Sequence, residues 1–450
     1  MNMKQYEAYK DSGIQWLGKI PSHWEITPLK FNLSLKGRIG WNGLKSDEFK
    51  EESYAYLVTG QDFIGKDIDW STCYQIDKER YDEDPFIQLS NGDLLVTKDG
   101  TIGKIAKVLN LDKPACLNSG IFVVKQITGV YNQNFLYWTL VSSQLTEFNS
   151  YMSTGSTIQH LYQNVFENMP LVVPPMAEQE VIATYLDQKV GKIDALIAEK
   201  EAMMEQLTQY RKSLISESVT RGLDPDVPMK ETGIDWLGQI PQHWSVIKLK
   251  RVASIQTGNT PSTSIEKYWD NPTENWYTPS DFEDMNIHLS ESSRKLAAIA
   301  FEENSCRVFK PNTVFIVGIG ATLGKVGISS FTCSANQQIN AIEFSDKVNP
   351  LFGAYYLFSI SEIMKVQANA STLAILPQSA TGELLFVCPS LEEQQEIVNL
   401  IENKSQIINN SIKQLQSQIE DLRKYKTSVI SEAVTGKIDL RDWKPIEITT

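Results

Sequence analysis

The sequence predicts an α+β protein made of two globular, strand-rich domains and two long helices, and three observations predict it. A tryptophan-rich segment recurs at a fixed offset, each copy ends in a long stretch of seven-residue apolar spacing, and the segments ahead of those stretches break into short apolar runs closed by turn residues. The 450 residues exceed one ordinary core, since a domain takes roughly 100–200.

The recurrence is the firmest of the three. GIQWLGKIPSHW at 13–24 returns as GIDWLGQIPQHW at 233–244, with both tryptophans, both glycines and the Ile-Pro pair in place. TIGK at 101–104 is echoed by TLGK at 322–325, and YRKSLISESVTRG at 210–222 by YKTSVISEAVTGK at 425–437. The order is the same in both halves, which predicts an internal duplication rather than a solenoid, whose repeats are several-fold shorter.

Each copy closes on a helix. Leu186, Ile193, Leu207 and Leu214 share one seven-residue register broken at Lys200, and Ile401, Ile408, Leu415, Leu422 and Val429 hold it unbroken. Such spacing with charged flanks predicts that the two helices pair as a coiled coil, since each narrow seam is most simply covered by the other. Pro174, Pro175 and Pro389 mark the starts, and Gly222 and Gly436 the stops. Each helix is then about 43 residues, on the order of 65 Å long.

Ahead of the helices, YAYLVTG, GDLLVTKDG, GIFVVKQI, NTVFIVGIG and NAIEFS read as strands of a mixed sheet, and NFLYWTLVSSQLTEF and LFGAYYLFSISEIMKV as shorter helices. Composition excludes other classes. Apolar residues make up 42% of the chain, too many for disorder, and no apolar run reaches the roughly 18 residues of a membrane span. The N-terminus carries no signal or transit pattern, which makes the cytoplasm the expected location. Cys73, Cys116, Cys306, Cys333 and Cys388 are odd in number and far apart, which predicts buried free thiols rather than disulfides or zinc ligands. The net charge of −13 leaves no basic domain, so any DNA contact rests on local patches or on charge supplied by a partner.

Catalytic motifs fail on inspection. VGIGATLGKVG at 317–327 lacks the glycine four residues before Gly-Lys and the following Ser or Thr of a phosphate-binding loop. No acidic residue or Asn precedes a Pro-Pro-aromatic triplet, as an amino-methyltransferase needs, and the EFK at 48–50 is too short to mark a nuclease. His23 and His243, set between Ile-Pro and Trp, read as packing and hydrogen-bonding residues. Two features suit nucleic acid. Lys36, Arg38 and Lys45 are interleaved with Trp41, Asn42 and glycines in SLKGRIGWNGLK, where the second copy has the uncharged QTGNTPSTSIEKYW, and each copy carries a Thr-x-Gly-Lys loop. The bland readings, a polar surface loop and a tight strand-to-strand turn, stand beside these.

The duplicated WLG-x-IP-x-HW, the helix starts PPMAEQEVI and PSLEEQQEI, and the paired helix ends together resemble the DNA specificity (S) subunit of type I restriction-modification systems, over nearly the whole chain. The resemblance implies two target-recognition domains, 1–175 and 223–389, long spacer helices at 176–222 and 390–437 pairing as an antiparallel coiled coil, and a tail at 438–450. It implies a non-catalytic subunit whose domains each read one half of a split target in double-stranded DNA. Methylation (M) subunits and restriction (R) subunits, two of each, would dock on it, and S-adenosylmethionine, ATP and Mg would belong to those partners; no metal or cofactor is expected here. It carries recognition to Lys36, Arg38, Trp41, Asn42, Thr97, Lys98, Thr101 and Lys104, and to Thr257, Asn259, Thr260, Ser262, Thr278, Thr322 and Lys325. A coiled-coil scaffold binding two proteins is the alternative.

Overall fold

The computed structural model of the chain describes residues 4–38, 44–45, 48–152, 160–368 and 374–445. They form two compact units, one of residues 1–200 with 417–450 and the other of 201–416, so both units draw on both long helices. The helices are Met176–Arg221, of 46 residues, and Leu391–Val434, of 44.

In the first unit a four-stranded antiparallel sheet runs in the order Ile105–Lys107, Leu94–Thr97, Ile121–Gln126, Leu33–Gly37. Beside it, Ala115–Leu117 pairs in parallel with Ala55–Val58, which pairs antiparallel with Tyr74–Ile76. Alternation along a strand explains why these runs are apolar throughout. Leu94, Val96, Phe122 and Val124 face a core shared with the helices Gln133–Val141 and Ser143–Met152, while Leu95, Ile121 and Val123 face a second core under the three-stranded sheet. A sheet covered on both faces needs no polar side.

The second unit repeats the scheme. Its sheet runs Ala253–Thr257, Ile339–Phe344, Thr313–Val317, Val326–Ser329, His288–Leu289, beside a three-stranded sheet of Lys295–Leu296, Glu274–Tyr277 and Cys333–Ala335. Val314, Ile316 and Ile342 face the helix-lined core, and Phe315, Val317 and Ala341 the other.

The recurring motifs are architectural. Each WLG-x-IP-x-HW segment packs on the end of a long helix. Trp24 and Ile20 share a core with Val429, Ile430, Ala433 and Val434, while Trp244 and Ile240 share one with Ile215 and Val219. Gly436 is obligatory twice over, since its φ is +68° and a Cβ there would stand 2.4 Å from Pro21 and 3.0 Å from Trp24. The Glu-Gln pair at each helix start explains the rest of the repeated sequence. Glu178 accepts from His23 Nε2 at 2.7 Å, Trp24 Nε1 at 3.0 Å and the Tyr6 hydroxyl at 2.9 Å. His243 Nε2 meets Glu393 at 3.0 Å, as the packing reading of both histidines expects. Gln179 and Gln394, both buried, accept from the Asn132 and Asn349 amides at 2.8 and 2.7 Å. Each also donates to two carbonyls, Val130 and Pro174 in one copy, Lys347 and Pro389 in the other.

The apolar seam departs from the seven-residue register. Leu186, Ile193, Ile401, Ile408, Leu415 and Val429 are buried, but Leu207, Leu214 and Leu422 are only half-buried, and Ile215 and Val219 take the interior places instead. An α-helix drifts about 20° per heptad against an exact seven-residue repeat, so after four heptads the inward position has moved on by one residue. At the break in the register, Lys200 Nζ donates to Gln418 at 2.6 Å, and nearby Lys426 bridges Asp194 at 2.7 Å. In the second unit Arg211, buried, donates to Asn409 Oδ1 and to the Met285 carbonyl.

Next to Arg211, Glu402 accepts from Tyr355 at 2.6 Å and meets His288 Nε2 at 2.9 Å, joining the strand His288–Leu289 to the second long helix. The carboxylate holds the His288 pKa above its ordinary 6.5, and the imidazole in turn holds Glu402 below 4.5. The stabilisation from His288 is full below about 6.5 and is lost as pH rises through the raised value; that from Glu402 is full above about 4.5 and lost as pH falls through the lowered one. Melting of the chain across pH 6–9 is therefore expected to show a loss of midpoint with rising pH that His288→Gln flattens. An identical slope in the variant would refute the coupling.

Candidate nucleic-acid interface

In each unit three strand ends bring three turns together. In the first unit these are the turns after Val58, Thr97 and Leu117, around a cavity of about 490 Å³ lined by Thr59, Gln61, Asp99, Thr101, Lys104 and Asn118 among others. The Thr-x-Gly-Lys turn is a hairpin connection. The Gly103 amide donates to Thr97 O at 2.9 Å and the Thr97 amide donates to Lys104 O at 3.0 Å; the Gly324 amide to Val317 O and the Val317 amide to Lys325 O repeat the pair at 2.9 and 2.9 Å. Gly103 and Gly324 sit at φ +83° and +86°, which is why glycine recurs there. Because 313–317 and 326–329 are antiparallel strands, the glycine-rich stretch between them is a strand-to-strand turn and opens no helix.

The expected residues separate into two groups. Lys36, Lys98, Thr101 and Lys104 lie at the surface or half-exposed, and none of these lysines has a carboxylate partner among the described residues. Lys36 lies 5.7 Å over the exposed Phe86 ring and Lys98 4.9 Å over Phe122. Thr260 and Ser262 are exposed, and Thr257 and Thr322 half-buried. Trp41 and Asn42 lie outside the described residues.

Five others are engaged in internal hydrogen bonds, and three of them, Arg38, Thr97 and Thr278, are buried where the sequence suggested a surface. Arg38 is 2% exposed and donates from Nε to Leu117 O at 3.0 Å, closing the end of the parallel strand pair. Thr97 is buried, its hydroxyl binding Thr101 O and accepting from the Lys104 amide at 3.0 Å. Thr278 is buried in a capping box with Asp281. Asn259 donates to Ser305 O at 3.0 Å and accepts from the Arg307 amide at 2.7 Å. Lys325 is neutralised by Asp284 at 2.9 Å and donates to Phe282 O at 3.1 Å. A cation spent on a buried carbonyl or a neighbouring carboxylate has little left for a phosphate.

Sequence reasoning missed the frame that holds these turns. Thr59 donates from amide and hydroxyl to Asp62 Oδ2 at 2.7 and 2.8 Å, and Thr278 to Asp281 Oδ2 at 2.7 and 2.9 Å. The signal was present as VTGQD and YTPSD, a Thr-x-x-Asp after an apolar run in both copies. Asn118 and Asn336, just past the parallel strands, receive equivalent bonds: the Asn118 amide donates to Val58 O and the Asn336 amide to Tyr277 O, both at 3.0 Å.

The five cysteines are free, four of them buried, and burial pushes the Cys116 thiol up to about 11 and Cys333 to about 12, so neither is a thiolate at neutral pH. Among the described residues no three His, Cys, Asp or Glu side chains are arranged to hold a metal, and no helix is long and apolar enough to cross a membrane.

Two similar units thus each carry strand-end turns held by a matched set of hydrogen bonds. The family model of the type I restriction modification DNA specificity domain matches residues 44–206 and again 241–421. The chain belongs to that family, whose members are non-catalytic specificity subunits of type I restriction-modification systems. It is 33% identical to the type I restriction enzyme MjaIX specificity subunit of Methanocaldococcus jannaschii over 193 residues, 42% of this chain and 43% of that one. With the MjaVIII specificity subunit of the same organism it shares 24% identity over 97% of this chain and 98% of that one. The fold matches a chain from a structural study of type I R-M assembly and conformational transition, with a TM-score of 0.70 at 15% identity over 92% of this chain and 98% of that one. It also matches the HsdS subunit from Thermoanaerobacter tengcongensis, with a TM-score of 0.52 at 15% identity over 93% and 98%.

Proposed function

We propose that each unit reads one half of a bipartite target in double-stranded DNA, and that the two long helices pair as an antiparallel coiled coil that sets the unread spacer. The helices also dock two methylation and two restriction subunits, which bring S-adenosylmethionine, ATP and Mg to a complex working in the cytoplasm. The observation that carries this reading is the pair of frames just described: equivalent turns, held by equivalent hydrogen bonds, present different side chains. The first unit offers unpaired lysines beside aromatic rings, suited to phosphates, and the second hydroxyls and amides, suited to base edges. The order of the helix contacts, 194 with 426, 200 with 418 and 211 with 409, supports the antiparallel sense and an internal duplication in which each copy ends on the other's helix. A net charge of −13 explains why partners contribute to DNA affinity.

Fluorescence anisotropy with labelled duplex, on the chain assembled with its methylation subunits, tests the reading. Binding is expected to weaken steeply with salt and to prefer one bipartite sequence. Salt-independent, sequence-blind behaviour would favour a coiled-coil scaffold between two proteins.

A further inference from the structure

The two units carry matching hydrogen bonds around the loop that follows the parallel strand. In the first unit the Asn118 amide donates to Val58 O at 3.0 Å and the Lys98 amide to Gly120 O at 2.9 Å; in the second the Asn336 amide donates to Tyr277 O at 3.0 Å and the Gly318 amide to Gln338 O at 2.8 Å. Each Asn also folds its side chain back on the loop, to the Ser119 amide at 2.7 Å and to the Gln338 amide at 3.0 Å. Between these fixed points each loop has two residues, Ser119-Gly120 in one unit and Gln337-Gln338 in the other, with the Asn side chain accepting from the first of them in one loop and from the second in the other. Where a scaffold is duplicated to read two half-sites, exposed positions that keep their backbone bonds and change their hydrogen-bonding side chains are where the readings diverge.

Gln337 is exposed and is not idle. The Thr260 hydroxyl donates to its Oε1 at 2.6 Å, which fixes the carboxamide while leaving one Oε1 lone pair and both Nε2 protons unused. Thr260 is brought there by Gly258: the strand end lies so close to the loop that a Cβ at 258 would stand 2.2 Å from Ala335 O, and the Asn259 amide donates to that same oxygen at 2.9 Å. In the first unit Arg38 stands where Gly258 does, and its side chain supplies the bond to the equivalent Leu117 O, so the chain cannot press inward in the same way. Gln338 is held by Asn336 Nδ2 at 3.0 Å, so the mobile freedom of both amides is reduced.

Resting on the DNA-recognition reading above, we infer that Gln337 is a specificity-determining residue of the second unit, reading an adenine through its N6 amino group and N7, with Thr260 as its positioning residue. An oriented carboxamide with one acceptor and one donor side by side matches that edge and no other base edge in the major groove.

The test uses the chain assembled with its methylation subunits, methylated-base mapping of DNA modified by the complex, and duplex binding. Gln337→Ala is expected to relax the requirement for one base pair in the second half-site by about 10- to 100-fold and to leave the first half-site untouched. Thr260→Val keeps the side-chain shape, loses the hydroxyl and is expected to relax the same base pair less; a merely structural role would lower affinity without changing which base is preferred. Melting of both variants confirms folding. An unchanged preference at every position in Gln337→Ala, or relaxation spread over both halves, overturns the assignment. A wild-type complex with no bipartite preference would instead overturn the function on which it rests.

Discussion

Trp24→Ala is expected to lower the stability of the first unit by about 3–5 kcal/mol, the cost of deleting a buried aromatic from a packed core. Trp24 is fully buried where the tail of the second long helix, residues 429–434, meets the repeated motif, and its indole is one of three donors to Glu178. The duplicate provides an internal control. Trp244 is 1% exposed in the matching place, yet its Nε1 has no partner among the described residues. Trp24→Phe removes a hydrogen bond to a carboxylate, worth about 1.5–3 kcal/mol, whereas Trp244→Phe removes a buried donor whose unmet desolvation costs about 1–3 kcal/mol. Both lose ring volume, so the thermal midpoint is expected to fall clearly further for Trp24→Phe. Equal losses would show that the Glu178 bond contributes nothing.

The second large effect separates two neighbouring cations. Arg38→Ala is expected to destabilise the first unit by about 1.5–3 kcal/mol, because a buried charged donor leaves Leu117 O without its bond. Lys36→Ala, at an exposed position two residues earlier in the strand Leu33–Gly37, is expected to leave the melting curve unchanged and to lower the slope of log affinity against log salt by about 0.9, one phosphate contact. Melting and salt titration of the two variants, in the assembled complex, check both. A salt slope lowered by Arg38→Ala with normal melting would restore that residue to the DNA surface.

Much of the fold was legible because recurring motifs mark the element boundaries: two tryptophan motifs, two helix starts and two helix ends at matched spacing define the elements before any packing is known. The helix seam was legible only in part, because a seven-residue register places Leu214 inward while the 3.6-residue helix brings Ile215 there. The interface was less legible still. Arg38 looked like a surface cation among glycines, and nothing local reveals that a strand arriving from residues 115–117 buries it. Thr97 and Thr278 looked like exposed hydroxyls but close turns, and the residues that present freedom at the surface, Gln337 and Gln338, carry no motif. They stand out only against Ser119 and Gly120, once the hydrogen-bond frame shows which positions correspond.

The central claim is that each unit reads its own half-site on a shared frame, and replacing residues 245–389 with the corresponding segment of a relative of different specificity tests it most directly. With the chimaera assembled with its methylation subunits, mapping of methylated bases should show one half-site replaced and the other retained, with the spacer unchanged because both long helices are kept. A chimaera that folds and methylates but changes both halves, or neither, would contradict the account.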